Sequence, residues 1–508
     1  MIEPAIVPLR GGKLLVAGFA LALVNFTVVL DITIANVSVP HIAGGLAISP
    51  SQGTWAITSY SVAEAITVPL AGWLSSRFGT VRWLVVSLIG FGLFSFLCGM
   101  SSSIEMLILF RICQGLSGGP LMPLTQTLLT RVFPPEKVPM ALGLWAVTTI
   151  TAPILGPILG GTISDNWSWP WIFFINLPVV AGCVFVVLRL LPPFETVRRK
   201  VRIDFVGLLL LVTWVSAFQI MLDTGREHDW FASNFVLGAG LVAAIGFVAF
   251  VIWEWYEPDP VVDIRLLRDP ALAFSTIAIS LGFMGFFASV VLVPLWLQEI
   301  LGYSATEAGY VTAYQGMLAV VMAPIAALLL NRVDPRLTIS VGILWLAFAT
   351  SLRLRWSTDA DHWLLVYPQL LQGLGMPFFF VGLTSLSLSR MKPGQVASAA
   401  GIMTFSRTMG GAVATAMATT FWTASTRTQR AAMVDSLNDP AGTMAKMQQG
   451  GMTADQARGM LDRMVEVQAS TNGVLFVFTL SMMLFVIAAA VVWLVPKPER
   501  PLETGAGH

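Results

Sequence analysis

The stretch LVNFTVVLDITIANVSVP, residues 23–40, is long and apolar enough to cross a membrane, yet it carries Asp31 near its centre. A helix rises about 1.5 Å per residue, so roughly 20 apolar residues cross the hydrocarbon core. An ionised group there costs on the order of several kcal/mol unless it meets a partner or a wet cavity. Two questions follow: how many such spans the chain holds, and what keeps Asp31 among them.

Only 11% of the 508 residues are charged and 56% are hydrophobic. Soluble domains carry roughly 25% charge, so this is an integral membrane protein. The net charge is +1 and no Lys/Arg block has the length of a nucleic-acid footprint, so no nucleic-acid partner is expected. Cys98, Cys113 and Cys183 lie in apolar runs without metal-ligand spacing and read as small buried hydrophobes. The four histidines fall in loops or at the terminus, and residues 1–12 lead straight into a span, so no cleavable signal is expected. There is no G-x-x-x-x-G-K-[ST] motif and no nucleophile–base constellation. Neither an enzyme nor a metal or cofactor site is expected; an ion gradient must drive any work.

Fourteen segments are long enough to span: approximately 13–38, 54–75, 81–100, 104–129, 138–162, 171–191, 204–222, 234–254, 271–298, 305–330, 336–354, 363–388, 396–425 and 471–495. With the N-terminus placed in the cytoplasm, the inner loops and tails hold 18 basic residues, while the short outer loops hold only Arg226, Arg353 and Arg355. This positive-inside bias sets both ends in the cytoplasm. Trp167, Trp169 and Trp171 cluster at an outer boundary, where interfacial aromatics belong.

A weak internal repeat organises the spans. RICQGLSGGPLMP (111–123) in span four corresponds to QLLQGLGMPFF (369–379) in span twelve, and SSRFG (75–79) after span two to LNRVD (330–334) after span ten. The expected architecture is all-α, with two pseudo-symmetric six-helix bundles, residues 1–192 and 257–495. A basic linker (193–203), two inserted helices (204–256) and a cytoplasmic tail (496–508) complete it. Such parallel repeats place a transport site between the halves near midplane.

At these residues the chain resembles the major facilitator superfamily, specifically its fourteen-span EmrB/QacA-type multidrug exporters. LDITIANVSVP (30–40) is similar to the first-helix motif of that group. GWLSSRFGTVR (72–82) resembles the loop 2–3 motif through Gly72, Arg77, Gly79 and Arg82, departing from it at Ser76, where an Asp is common. LILFRICQGLSGG (107–119) resembles the fourth-helix motif with its intramembrane Arg111. GLWAVTTITAPILGPILGG (143–161), with Gly143, Gly156, Pro157, Gly160 and Gly161, resembles the fifth-helix motif of antiporters. SQGTWAITSY (51–60), SDNWSWPWIFFINLP (164–178) and IMLDTGREHDWF (220–231) point to the EmrB branch. The resemblance implies drug export in exchange for protons across the inner membrane. It also implies a tripartite pump, with a periplasmic membrane-fusion adaptor and an outer-membrane channel as partners.

The helical rise puts Asp31 about 12 Å, Arg111 about 10 Å and Glu64 about 15 Å below the outer boundary, on three different spans of one half. An Asp31–Arg111 attraction with Glu64 nearby would lower the cost of all three charges. Burial favours the neutral acid and a neighbouring guanidinium favours the anion. A carboxylate poised between them can take up and release a proton as its water access changes. A fixed structural ion pair is the plainer alternative. Gln114, Tyr314, Gln315, Met317, Met403 and Phe405 are expected on cavity-lining helices as substrate contacts, and Met-rich surfaces suit amphipathic drugs. Arg407, mid-span in TFSRTMGG (404–411), either meets anionic substrate or pairs with helix carbonyls. The fifth-helix glycines are expected to permit tight packing, and Pro157 to bend the span, closing the outer exit.

The segment 426–470 is the only sizeable outer loop. In MTADQARGMLDRMVEV (452–467), Ala457, Met460, Leu461 and Met464 share one face at helical spacing, and Thr453 with Gln456 fits a capping box. A helical hairpin is expected, broken at NDPAG (438–442), with Met460, Leu461 and Met464 as a docking face for the adaptor or as a self-packed seam. A nutrient symporter and a non-transporting receptor or scaffold are the competing functions; neither explains the fifth-helix motif together with the charged trio.

Overall fold

In the computed structural model the described residues are 9–497, apart from 135–136, 199–201, 227, 393 and 436–438. Arg199, Lys200 and Arg500 of the basic flanks, most of the C-terminal tail and Asn438 of the NDPAG break lie outside them. The described residues form helices and no strands.

The first half comprises α1 (Gly11–Gly45), α2 (Pro50–Thr67), α3 (Ala71–Phe78), α4 (Thr80–Gly99), α5 (Ile104–Gly118), α6 (Leu121–Val132), α7 (Val138–Asn166), α8 (Trp171–Phe174) and α9 (Asn176–Leu190). Then come the inserted pair α10 (Phe205–Gly225) and α11 (Asn234–Tyr256). The second half holds α12 (Pro270–Glu299), α13 (Ala305–Arg332), α14 (Pro335–Leu352), α15 (His362–Leu388), α16 (Val396–Asp435), α17 (Pro440–Gln449) and α18 (Ala454–Val492).

Each expected span is helical, and three are helices in tandem: α2 with α3, α5 with α6, and α8 with α9. Pro69 lies in the gap between α2 and α3, and Pro120 in that between α5 and α6. Proline has no N–H to donate, so the ladder stops and restarts there. Pro153 and Pro157 lie in α7, whose two parts, 140–153 and 155–166, meet at 44°. By length and apolarity eleven helices qualify as membrane crossings among the described residues, twelve with the bent α7. The α2–α3 column and α16 fall short because Ser, Thr, Gln and Gly dilute them. Both border the central cavity, where such residues meet water instead of lipid.

The helix pairing repeats. In the first half α1 packs on α7 and α9, α2 on α5, and α4 on α5 and α9. In the second, α12 packs on α16 and α18, α13 on α15, and α14 on α15 and α18. First meets fifth and sixth, second meets fourth, third meets fourth and sixth, in the same order both times. The halves meet where α7 lies against α13 and α15, and where α16 crosses α3 and α6. Of the inserted pair, α10 packs on α2 and α16, while α11 packs on α10 and flanking turns.

The outer hairpin forms largely as the sequence predicts. α16 runs on to Asp435, and α18 begins behind a capping box of Thr453 and Gln456. Arg430 of α16 pairs with Asp462 and, at 3.1 Å, with Glu466 of α18. The single apolar stripe divides: Ala457 is buried and Leu461 half-buried, whereas Met460 and Met464 are exposed.

Candidate functional site: a buried ion pair beside a cavity between the halves

Asp31 of α1 is fully buried and lies 2.5 Å from Arg111 Nη1 of α5. Gln114 Nε2, one turn along α5, donates to Asp31 Oδ1 at 3.0 Å, and Asn176 Nδ2 of α9 donates to the same oxygen at 2.7 Å. Arg111 also donates to Gln114 Oε1 and, through Nε, to the Ala56 carbonyl of α2. Its guanidinium stands over the Tyr60 ring at 4.2 Å and near that of Phe173 at 5.5 Å. Asn176 continues to Ser95 of α4, which donates to the Phe173 carbonyl. Five spans thus tie their polar groups around one carboxylate. Both its oxygens are bonded, which is how a buried charge is tolerated.

The network is sealed on the inside of the first half. Val29, Ile32 and Asn36 of α1 turn to a cavity of about 440 Å³ between the halves, while Asp31 points away from it. Glu64 of α2 does line that cavity, and it lies within electrostatic reach of Asp31, Arg111 and Arg407. The depth match of Asp31, Arg111 and Glu64 is therefore a spatial one, with Glu64 alone turned to the cavity.

Arg407 of α16 lines the opposite wall. Its guanidinium lies 5.1 Å from the Trp145 ring of α7 and 5.3 Å from that of Phe283 of α12, and Nη2 reaches Met122 Sδ at 3.4 Å. Among the described residues no carboxylate pairs with it and no helix carbonyl accepts from it; two aromatic faces stabilise the cation instead. The cavity extends from Glu64 and Arg407 to Thr54, Asn36, Arg226 and Thr419, at the outer ends of their helices.

Several expected substrate contacts lie elsewhere in this arrangement. Gln114 belongs to the buried network. Gln315 is buried and donates to Met376 Sδ at 3.4 Å, and Met403 is buried and accepts from Ser387. Tyr314 packs with the outer aromatic cluster of the second half. Phe405 lies edge-on to Trp214 of α10 at 5.7 Å, and Met317 is 59% exposed. Helical periodicity places a residue on a span but does not say which face meets the cavity; of these candidates only Arg407 borders it.

The motif residues separate into two contacts. At the inner face a Cβ on Gly72 would stand 2.6 Å from the Ser398 Cα of the other half, and one on Gly401 would stand 3.3 Å from the Val68 carbonyl. Here backbones touch across the halves and close the inner end. Gly79 turns the chain from α3 to α4 at φ +95°, open to glycine but rarely to other residues. Arg77 stands by the Trp73 and Phe78 rings. Arg82 lies 3.9 Å from Glu195, whose carboxylate accepts the Val81 and Arg82 amides. The fifth-helix motif packs differently from the expected closure of the exit. Gly156 and Gly160 bring α7 against Thr33 and Ile34 of α1, inside the same half. Gly161 has nothing within 4 Å of a Cβ position, and at Gly143 the neighbours are at ordinary 3.7 Å contact. Contact with the other half near the outer end comes from Ile158, seated on Gly309 of α13.

Sequence reasoning missed Asn176, Glu195 and Gly309. Asn176 could have been found by the same depth argument, about 8 Å into its span. Nothing local marks the other two.

Two bundles with one helix pairing, meeting at a cavity with a sealed ion pair beside it, define a solute transporter of the two-repeat kind. The chain belongs to the major facilitator superfamily, whose profile matches residues 21–415. It is 40% identical over 505 residues to the multidrug export protein EmrB of Escherichia coli K12, covering 98% of this chain and 99% of that one. It is 39% identical to the fatty acid resistance protein FarB of Neisseria gonorrhoeae, over 99% of both. Among solved structures, the human organic anion transporter MFSD10 (TETRAN) superposes with a TM-score of 0.57 at 15% identity, covering 94% of this chain and 100% of that one. A bacterial homolog of the human lysosomal transporter Spinster, inward-facing and unoccupied, gives 0.52 at 14% identity, covering 96% and 97%. These two share the fold. The protein is thus a multi-pass transporter of the inner membrane, not an enzyme.

Proposed function

We propose that this protein exports amphipathic drugs across the inner membrane in exchange for protons, as the inner part of a tripartite pump. Near-full-length identity to multidrug export proteins supports the drug-efflux reading. The observation that carries the coupling is the placement of Glu64 on the cavity wall with the sealed Asp31–Arg111 pair behind it. In this reading a proton from the outer side reaches Glu64 through the cavity. Transfer towards Asp31 neutralises the carboxylate and loosens its hold on Arg111. The relative stability of outward- and inward-open states then shifts, and inward opening releases the proton. Drug occupies the same cavity in the complementary step. One charge moved across 100 mV supplies about 2.3 kcal/mol, enough to bias such an exchange.

The test uses purified protein in liposomes with an imposed pH gradient. Internal pH is followed as drugs are added. Drug-dependent proton flux is expected, and its absence would overturn the coupling. Nutrient symport would move solute and protons the same way. A receptor or scaffold would move neither.

For assembly, the exposed Met460 and Met464 on the outer hairpin support the adaptor-docking reading. Replacing both with Asp should abolish adaptor co-purification and cellular resistance. Transport in adaptor-free liposomes should survive. Persistent adaptor binding, or loss of liposome transport as well, would favour a structural role for this face.

A further inference from the structure

The inserted helices have no place in the two-repeat scheme, and the stretch IMLDTGREHDWF was a sequence signal without a role. Its first part ends α10, which packs between α2 of one half and α16 of the other. Gln219, Leu222, Asp223 and Arg226 all line the 440 Å³ cavity. Asp223 is open to solvent although protein encloses it on most sides, as befits a side chain on a cavity wall. The Thr58 hydroxyl of α2 and Gln219 Nε2, the latter at 3.1 Å, donate to its carboxylate. Among the described residues no basic side chain is ion-paired with it. Two neutral donors orient this carboxylate without neutralising it. It stands above Glu64 on the way to the mouth.

We infer that Asp223 is a specificity-determining residue of the transport pathway: it recognises the cationic group of amphiphilic substrates in the outer part of the cavity, and the inserted helix α10 is a wall of that pathway. With neutral donors and no ion-pair partner among the described residues, this carboxylate leaves the place of a counter-charge to a cationic ligand, and the low-dielectric walls lengthen its reach. The apolar neighbours Leu222, Ile57 and Phe287 suit the hydrophobic body of such a ligand. A simple staple between α10 and α2 would need the Thr58 hydrogen bond but not the charge.

The inference rests on the cavity being the substrate pathway. The experiment measures binding of tetraphenylphosphonium and of a neutral amphiphile of similar size to the purified full-length protein. If neither probe binds the unaltered protein, the pathway reading fails; the Asp223 assignment is tested by how substitutions change the two affinities. Asp223→Asn keeps an acceptor for Thr58 and Gln219. It should weaken tetraphenylphosphonium about tenfold, or ~1.4 kcal/mol, and leave the neutral probe unchanged. Thr58→Val, which removes the hydrogen bond but keeps the charge, should preserve the preference for the cation. Arg226→Gln, an exposed change that is safe for the fold, removes a competing positive charge and should tighten the cation selectively. Equal weakening of both probes by Asp223→Asn and Thr58→Val would make Asp223 a staple and overturn the inference. No change in Asp223→Asn, or no selective gain in Arg226→Gln, would overturn it too.

Discussion

The two halves each bury an arginine near a QG pair, and they treat it in opposite ways. In the first half Arg111 meets Asp31, with Gln114 and Asn176 holding the carboxylate from the other side. In the second, position 369 of the matching stretch is Gln, and the buried cation is Arg353 at the outer end of α14. It donates through one nitrogen to Gln369 and Gln372 and lies near the Trp356 and Phe478 rings. Among the described residues no carboxylate pairs with it. One fold therefore carries a carboxylate paired with a cation in one half, and a cation held by amides and aromatic faces in the other. In the proposed exchange the proton chemistry belongs to the first half, and Arg353 of the second has a structural role.

The strongest way to break this contrast is Asp31→Asn. The substituted amide oxygen still accepts from Gln114 and Asn176, so the protein should fold, with a lowered melting temperature because Arg111 loses its counter-charge. Gradient-driven efflux in liposomes should fall to the leak rate. Normal coupled efflux in this variant would make the pair structural and erase the distinction between halves. Glu64→Gln probes the cavity side of the same half. Transport assays with cationic, neutral and anionic drugs should show the cations reduced about tenfold more than the others, or ~1.4 kcal/mol. Equal loss in all three classes would confine Glu64 to the proton step or to packing and remove it from cation recognition.

Arg353→Met sharpens the comparison from the other side. It removes a buried cation but orphans two glutamine oxygens, so a loss of ~1–3 kcal/mol in unfolding stability is expected. The ratio of protons to drug should not move. A changed ratio would place proton chemistry in both halves. The smallest effects come from glycines of α7. Gly156→Ala drives a Cβ to within 2.6 Å of Thr33 Cβ and 3.0 Å of its backbone, and should cost ~1–3 kcal/mol in thermal unfolding. Gly143→Ala meets only ordinary contacts and should stabilise the helix by about 0.5–1 kcal/mol. Equal costs at both would mean that close packing on α1 is not what the motif provides.

Apolar length, basic loops and the paired QG stretches were enough to read the membrane class, the helical segments and the two-half organisation, because hydrocarbon admits few alternatives to the helix. The depth of Asp31 and Arg111 was legible for the same reason: helical rise converts residue number into distance. The capping box of Thr453 and Gln456 was legible too, because its partners lie within one turn of chain. Azimuth was not. A span alone does not say that Met317 faces outward, that Gln114 turns to Asp31, or that Gly156 packs within its own half. These depend on how each helix is rotated by its neighbours, and rotation is set by packing between segments far apart in the chain. The sealing of Asp31, the turning of Glu64 to the cavity and the place of the inserted α10 on its wall emerge from the assembled bundle alone. There, side chains from several helices compete for the same space and the same hydrogen bonds.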